Sequence, residues 1–139
     1  MDATATTPVR VIVEGVVTRC TAIAAKRHIG STPSQAEPLY VGIGVGATGA
    51  ARTAAAADTA LSSAVESRVA GTSSNVTTTV TNDTYQVVGT VTATATRAVD
   101  EAGTFDASTS GNMDISATFA VVTLSSGDSL QLTFKKVFG

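Results

Sequence analysis

The chain has 139 residues, 43% hydrophobic, 14% charged and only 4% aromatic. That supports one small core built from Val, Leu, Ile and Ala, and it excludes a large multidomain enzyme. Nine basic against eleven acidic residues give a formal charge of −2, without the cationic field expected of a single-domain nucleic-acid binder. A thin core of this kind commonly gains stability by oligomerising.

Met1 to Pro8 is Ala/Thr-rich, has no basic segment ahead of an apolar run, and reads as a flexible N-terminal arm of residues 1–8 rather than a signal or transit peptide. Residues 9–139 read as a single mainly-β assembly domain. Ser, Thr and Gly interrupt every apolar run before it reaches the ~18 residues that span a bilayer, so no membrane partner is expected. Val9, Val11 and Val13 alternate with Arg10 and Ile12, predicting a strand across Val9 to Val17. Lys26-Arg27-His28 and the turn-forming Gly30 to Pro38 predict an exposed connection.

Pro38-Leu39-Tyr40-Val41 predicts a short extended piece running into Gly42, Gly44, Gly46 and Gly49. Ala57, Leu61, Val65 and Val69 recur every four residues, predicting one short helix over Thr59 to Ala70, with Asp58 as its cap and Gly71 as its stop. After Gly71 the period becomes two. Val76, Thr78 and Val80 predict one strand, Asn82-Asp83 a turn, and Tyr85, Val87, Gly89, Val91, Ala93 and Ala95 the inward face of the next. Val88, Thr90, Thr92, Thr94 and Thr96 face outward, toward water or a neighbouring subunit. Met113, Ile115, Ala117, Phe119 and Val121, a turn at Ser125 to Asp128, then Leu130, Leu132 and Phe134 predict an antiparallel hairpin. The expected fold is mainly β, an antiparallel β-sandwich or curled sheet with one short helix.

Several patterns point to chemistry. Gly44-Val45-Gly46-Ala47-Thr48-Gly49 has the letters of a dinucleotide-binding turn, but Glu66 lies within the predicted helix, where the motif needs an acid after a second parallel strand. A tight Gly/Ala turn accounts for it better. Asp100, Glu101, Asp106, Asp114 and Asp128 offer oxygen ligands in no calcium-loop spacing and read as solvated loop carboxylates. Cys20 and His28 are each the sole residue of their type, which leaves zinc sites and conventional triads without parts and makes a structural cysteine the simpler reading. Asn75-Val76-Thr77 and Asn82-Asp83-Thr84 match the glycosylation acceptor, a triplet that Thr-rich chains produce by chance. These readings give no catalytic residue, no metal site and no cofactor.

Two stretches carry a resemblance. From Tyr40 to Arg68 a Gly-rich segment precedes Asp58-Thr59-Ala60-Leu61 and then Glu66 and Arg68. Farther on come Glu101-Ala102-Gly103-Thr104-Phe105, Asn112-Met113, and a turn containing Gly127-Asp128-Ser129-Leu130. Together, over Tyr40 to Phe138, they resemble a family of small structural proteins in the particles of tailed bacterial and archaeal viruses. The chain departs from that pattern at Ala54 to Ala57, where a proline-bearing stretch is common, and at Thr104, where a bulky apolar residue is usual. The resemblance implies structural roles only: Asp58 caps the helix, Leu61 anchors it, and Phe105 and Phe119 seat the downstream strands.

The function expected is that of a non-enzymatic virion structural protein, located in the virion and in the host cytoplasm during assembly. Its implied partners are further copies of itself and other virion proteins of the portal, neck, tail or major capsid. The expected structural residues are Asp58, Leu61, Val65, Phe105, Phe119, Leu130, Leu132 and Phe134. A host-surface or carbohydrate-binding fibre module is the alternative, and a small nucleotide-binding enzyme is a third reading.

Overall fold

A computed structural model of the chain describes residues 9–13, 16–17, 36–46, 54–55 and 58–138. The expectations for Met1 to Pro8, Cys20, the Lys26-Arg27-His28 loop and Gly49 lie outside these residues. Nine strands run through the described part: β1 (Val9–Val13), β2 (Val16–Val17), β3 (Tyr40–Val45), β4 (Ala64–Ala70), β5 (Thr72–Val76), β6 (Thr84–Thr92), β7 (Arg97–Phe105), β8 (Met113–Leu124) and β9 (Ser129–Val137). They form a four-stranded sheet ordered β1-β9-β6-β5 and a five-stranded sheet ordered β2-β8-β7-β3-β4.

The two sheets share one core. Val87 and Val91 of β6 and Leu130, Leu132 and Phe134 of β9 meet Val41 and Ile43 of β3, Val99 and Ala102 of β7, and Ile115, Ala117 and Leu124 of β8. The alternation read in β6 and β9 is therefore the inward face of a sandwich. Among the described residues all pairings are antiparallel except one: β1 runs parallel to β9, with Val9 opposite Leu130 and Val13 opposite Phe134.

No helix occurs among the described residues, and the expected helix over Thr59 to Ala70 is replaced by a loop followed by β4. A four-residue repeat satisfies a strand as well as a helix, because residues i and i+4 share a face in both. Val65 stands opposite Ile43 and Val69 opposite Val41, so four residues of β4 match two of β3 and Glu66 to Arg68 form a bulge. Glu66 takes φ = 60° there. Asp58 consequently caps no helix. Its carboxylate accepts the Ala55 amide at 2.8 Å, and its own amide donates to the Ala55 carbonyl at 2.9 Å, closing a turn.

The expected hairpin of β8 and β9 is also corrected. The two strands lie in different sheets, β8 beside β7 and β9 beside β6. The Ser125 to Asp128 turn carries the chain between sheets and is tied to the end of β6: the Gly127 amide donates to Ala93 O and the Ala93 amide to Asp128 O, both at 2.8 Å. Alternation assigns faces and leaves the partner open, which is why two amphipathic strands joined by a turn read as a hairpin. Farther along β8, a register shift opposite Val99 to Glu101 reverses the inward phase. Phe119 is thus half-buried, Val121 is 51% exposed, and Leu124 is buried.

The strand expected over Val76 to Val80 lies earlier, at β5, and Val80 is 63% exposed. The Asn82-Asp83 turn is present in the β5–β6 connection. Asp100 and Glu101, expected in a solvated loop, belong to β7 and are 2% and 0% exposed.

A second, smaller cluster covers the outer face of the five-stranded sheet. Leu61, Phe105 and Met113 are buried together there, with Tyr40 against them. Gly42 and Gly103 stand opposite one another in β3 and β7. A Cβ on Gly42 would lie 3.2 Å from the Phe105 ring, and one on Gly103 would lie 3.4 Å from Leu61. The missing side chains make the hollow into which Leu61 fits. Arg68 stacks 3.4 Å above the Phe105 ring centroid and donates to the carbonyls of Ala107 and Ser110. Burial lowers its pKa from the ordinary value while Asp106 opposes that shift; a guanidinium starting so high stays charged.

Candidate functional site

At one end of the sandwich an open cleft of about 450 Å³ is lined by Glu37, Pro38, Asn75, Tyr85, Asp114, Lys136 and Phe138. The sheet register builds one wall directly, since Asn75, Tyr85 and Lys136 lie side by side across β5, β6 and β9. Lys136 sits two residues beyond Phe134, on the inward parity of β9, where an apolar side chain would be expected. Asp114 comes from the opposite sheet.

A bulge aims Asp114. Thr104 pairs with Ile115 but Phe105 pairs with Met113, so Asp114 is an extra residue in β8. Such an insertion re-aims a side chain locally. The Thr104 hydroxyl accepts the Ile115 amide at 3.2 Å, which gives the polar residue at 104 a structural task that a bulky apolar side chain would not perform. The Asp114 carboxylate then meets Lys136: Nζ stands 3.1 Å from Oδ1, with side-chain exposures of 14% and 10% for Lys136 and Asp114. Oδ2 of Asp114 is buried without a hydrogen-bond partner. Lys136 also lies 5.6 Å from the Phe138 ring centroid, and the Tyr85 hydroxyl donates to Glu37 at 3.1 Å.

Several other acidic residues hold backbone amides. Asp106 accepts the amide and side-chain nitrogens of Asn112 at 2.6 and 2.9 Å, and Asp128 accepts the Ser125 amide at 2.8 Å. Glu101 accepts the Ser63 amide at 3.1 Å and fills the space over Gly44. Gly44 is therefore a strand residue making room for a side chain, in β3 and antiparallel to β4 and β7 on either side; the segment from Ala47 to Gly49 lies outside the described residues. Glu66 binds Arg97 at 2.9 Å and Thr94 through both backbone and hydroxyl. The Arg97 hydrogen bond, reinforced by Thr94, holds the Glu66 pKa below its ordinary value. Among the described residues no three His, Cys, Asp or Glu side chains gather as a metal site, and no helix is long and apolar enough to cross a membrane.

Asp83 is the clearest electrostatic device. Its carboxylate accepts the amides of Val80, Thr78 and Thr79 and the Thr84 hydroxyl, each at 2.8 Å. The Val80 amide is the largest influence, and with the others it outweighs the opposing effect of burial, so the pKa falls far below the ordinary 3.8. A carboxyl whose folded pKa is depressed stabilises above its unfolded value, and that contribution is lost as pH falls toward the folded value. Acid titration of the denaturation midpoint should thus show wild-type stability declining below about pH 4, with a flatter decline in Asp83→Asn. Parallel curves would refute this role.

Among the expected structural residues, Leu61 and Phe105 meet in the outer cluster, while Leu130, Leu132 and Phe134 lie in the main core with half-buried Val65 and Phe119 packed against it. Asp58 joins neither. Lys136 and Asp114 were missed as a pair, although a cation continuing the apolar rhythm of Leu130, Leu132 and Phe134 was a legible signal. No protein-family model, curated protein or solved structure matches this chain.

Proposed function

We propose that this chain is a non-enzymatic virion structural protein that self-assembles and attaches to the neck, tail or capsid of a tailed virus. The observation that carries the self-assembly is the β5 edge. Among the described residues, β4 and β5 are each the last strand of their sheet. β4 carries a bulge, a device that discourages edge pairing. β5, Thr72-Ser73-Ser74-Asn75-Val76, has no charge, no proline and no register shift. Beside it, the outward face of β6 and β9 presents Thr90, Thr92, Ser129 and Gln131. A second copy pairing along β5 would continue the sheet and satisfy the free backbone groups on this edge.

The virion assignment rests on the resemblance described above. Leu61, Arg68, Gly103, Phe105 and Met113, which lie within the two resembling stretches, come together in the outer cluster. Proteomic detection of the chain in purified particles tests that assignment, and its absence from intact particles would overturn it.

Ser74 is the central residue of β5, so in a two-fold antiparallel pair it faces its own copy. Ser74→Lys places like charges opposite one another and should weaken association by about tenfold or more. Sedimentation equilibrium measures this; a wild-type chain that stays monomeric into the submillimolar range, or a variant that associates equally well, would refute pairing through β5.

A carbohydrate-binding fibre module is the second reading, favoured by the 58% exposed Phe138 at the rim of a cleft containing Asn75 and two carboxylates. Reproducible saturable binding on a glycan array would support it, and a blank array with assembled protein would remove it.

A further inference from the structure

We propose that Lys136 and Asp114 join covalently, forming an amide between Nζ and Cγ that staples the two sheets together. The amine and the carboxylate come from different sheets, 22 positions apart in sequence, and already stand 3.1 Å from each other. Both side chains are largely withdrawn from water. The bulge in β8 and the Thr104 hydroxyl hold Asp114 in place, and the β6–β9 ladder holds Lys136 beside Tyr85.

The chemistry balances within the pair. A proton passes from the Lys136 ammonium to the Asp114 carboxylate, leaving an amine and a carboxylic acid. The Nζ lone pair attacks Cγ, the bond from Cγ to its hydroxyl oxygen breaks, and that hydroxyl departs with a second proton from nitrogen as water. One ammonium and one carboxylate become one amide and one water, with no oxidant, reductant or cofactor. Holding the two groups side by side removes the translational and rotational cost of bringing them together. The proton from Nζ reaches Oδ1, the oxygen beside it, so Oδ1 leaves in the water and Oδ2, buried without a hydrogen-bond partner, becomes the carbonyl oxygen of a neutral amide.

Intact-mass spectrometry of the full chain under denaturing conditions tests the proposal. The expected mass is one water below that encoded, and tryptic digestion should yield a branched peptide joining the segments that contain Asp114 and Lys136. Lys136→Arg, which retains a cation beside Asp114, and Asp114→Ala should both restore the encoded mass. An unmodified wild-type mass would overturn the proposal. So would a water loss that persists in Lys136→Arg, because that outcome marks dehydration of an aspartate onto its own backbone.

Discussion

Phe105→Ala should lower stability to urea by about 3–5 kcal/mol, the range for removing a fully buried ring and leaving a cavity. Phe105 is 1% exposed and lies in the small cluster with Leu61 and Met113. It is also the surface on which Arg68 rests, and losing that cation–ring contact adds about 0.5–2 kcal/mol. Leu61→Ala, at the same cluster, should cost about 2–5 kcal/mol. Since the two side chains share one hollow, the double variant should fall short of the sum by about 0.5–3 kcal/mol. Strict additivity, or a loss below about 1 kcal/mol for Phe105→Ala, would mean that the segment around Leu61 is not docked on the sheet.

Gly89→Ala should destabilise by about 1–3 kcal/mol, the usual penalty for forcing a methyl into a packed core. The opposite sign would follow from strand propensity, since alanine reduces the freedom of the unfolded chain by about 0.4–1 kcal/mol relative to glycine where its conformation fits. Packing decides the matter. A Cβ at position 89 would lie 2.5 Å from Cγ2 and 2.9 Å from Cβ of Val41, which is wholly buried in the facing sheet. Val41→Ala in the Gly89→Ala background should recover part of the loss, because it restores the space that the new methyl occupies. Urea titration of the four variants measures both effects, and a neutral or stabilising Gly89→Ala would show that the sheets are farther apart at this level.

The parts of the molecule readable in advance are those where side-chain period and burial coincide. Val87, Gly89 and Val91 in β6 and Leu130, Leu132 and Phe134 in β9 were legible because an inward face alternates whichever strand lies beside it. The Asp83 turn was legible because Asn and Asp satisfy local amides. The four-residue stripe of Val65 and Val69 was ambiguous by geometry, and pairing with β3 resolved it against the helix propensity of its alanines.

The candidate site shows the same division. Lys136 and Asp114 are separated by a whole strand and a turn, and no local pattern links them. Their encounter depends on β8 and β9 belonging to opposite sheets, the arrangement that a hairpin reading inverts. The bulge at Asp114 depends on how β7 and β8 align, with Thr104 supplying a hydroxyl for the Ile115 amide.

By itself, then, the amino-acid sequence determined a small, weakly charged, mainly-β protein and the inward residues of its central strands, because these follow from side-chain volume and a two-residue repeat. Tertiary structure alone decided which strands are neighbours, that β1 runs parallel to β9, that Leu61 caps an outer cluster, and that a lysine meets an aspartate between the sheets. Those outcomes are set by contacts distant along the chain, whose free energies depend on the whole assembly of strands.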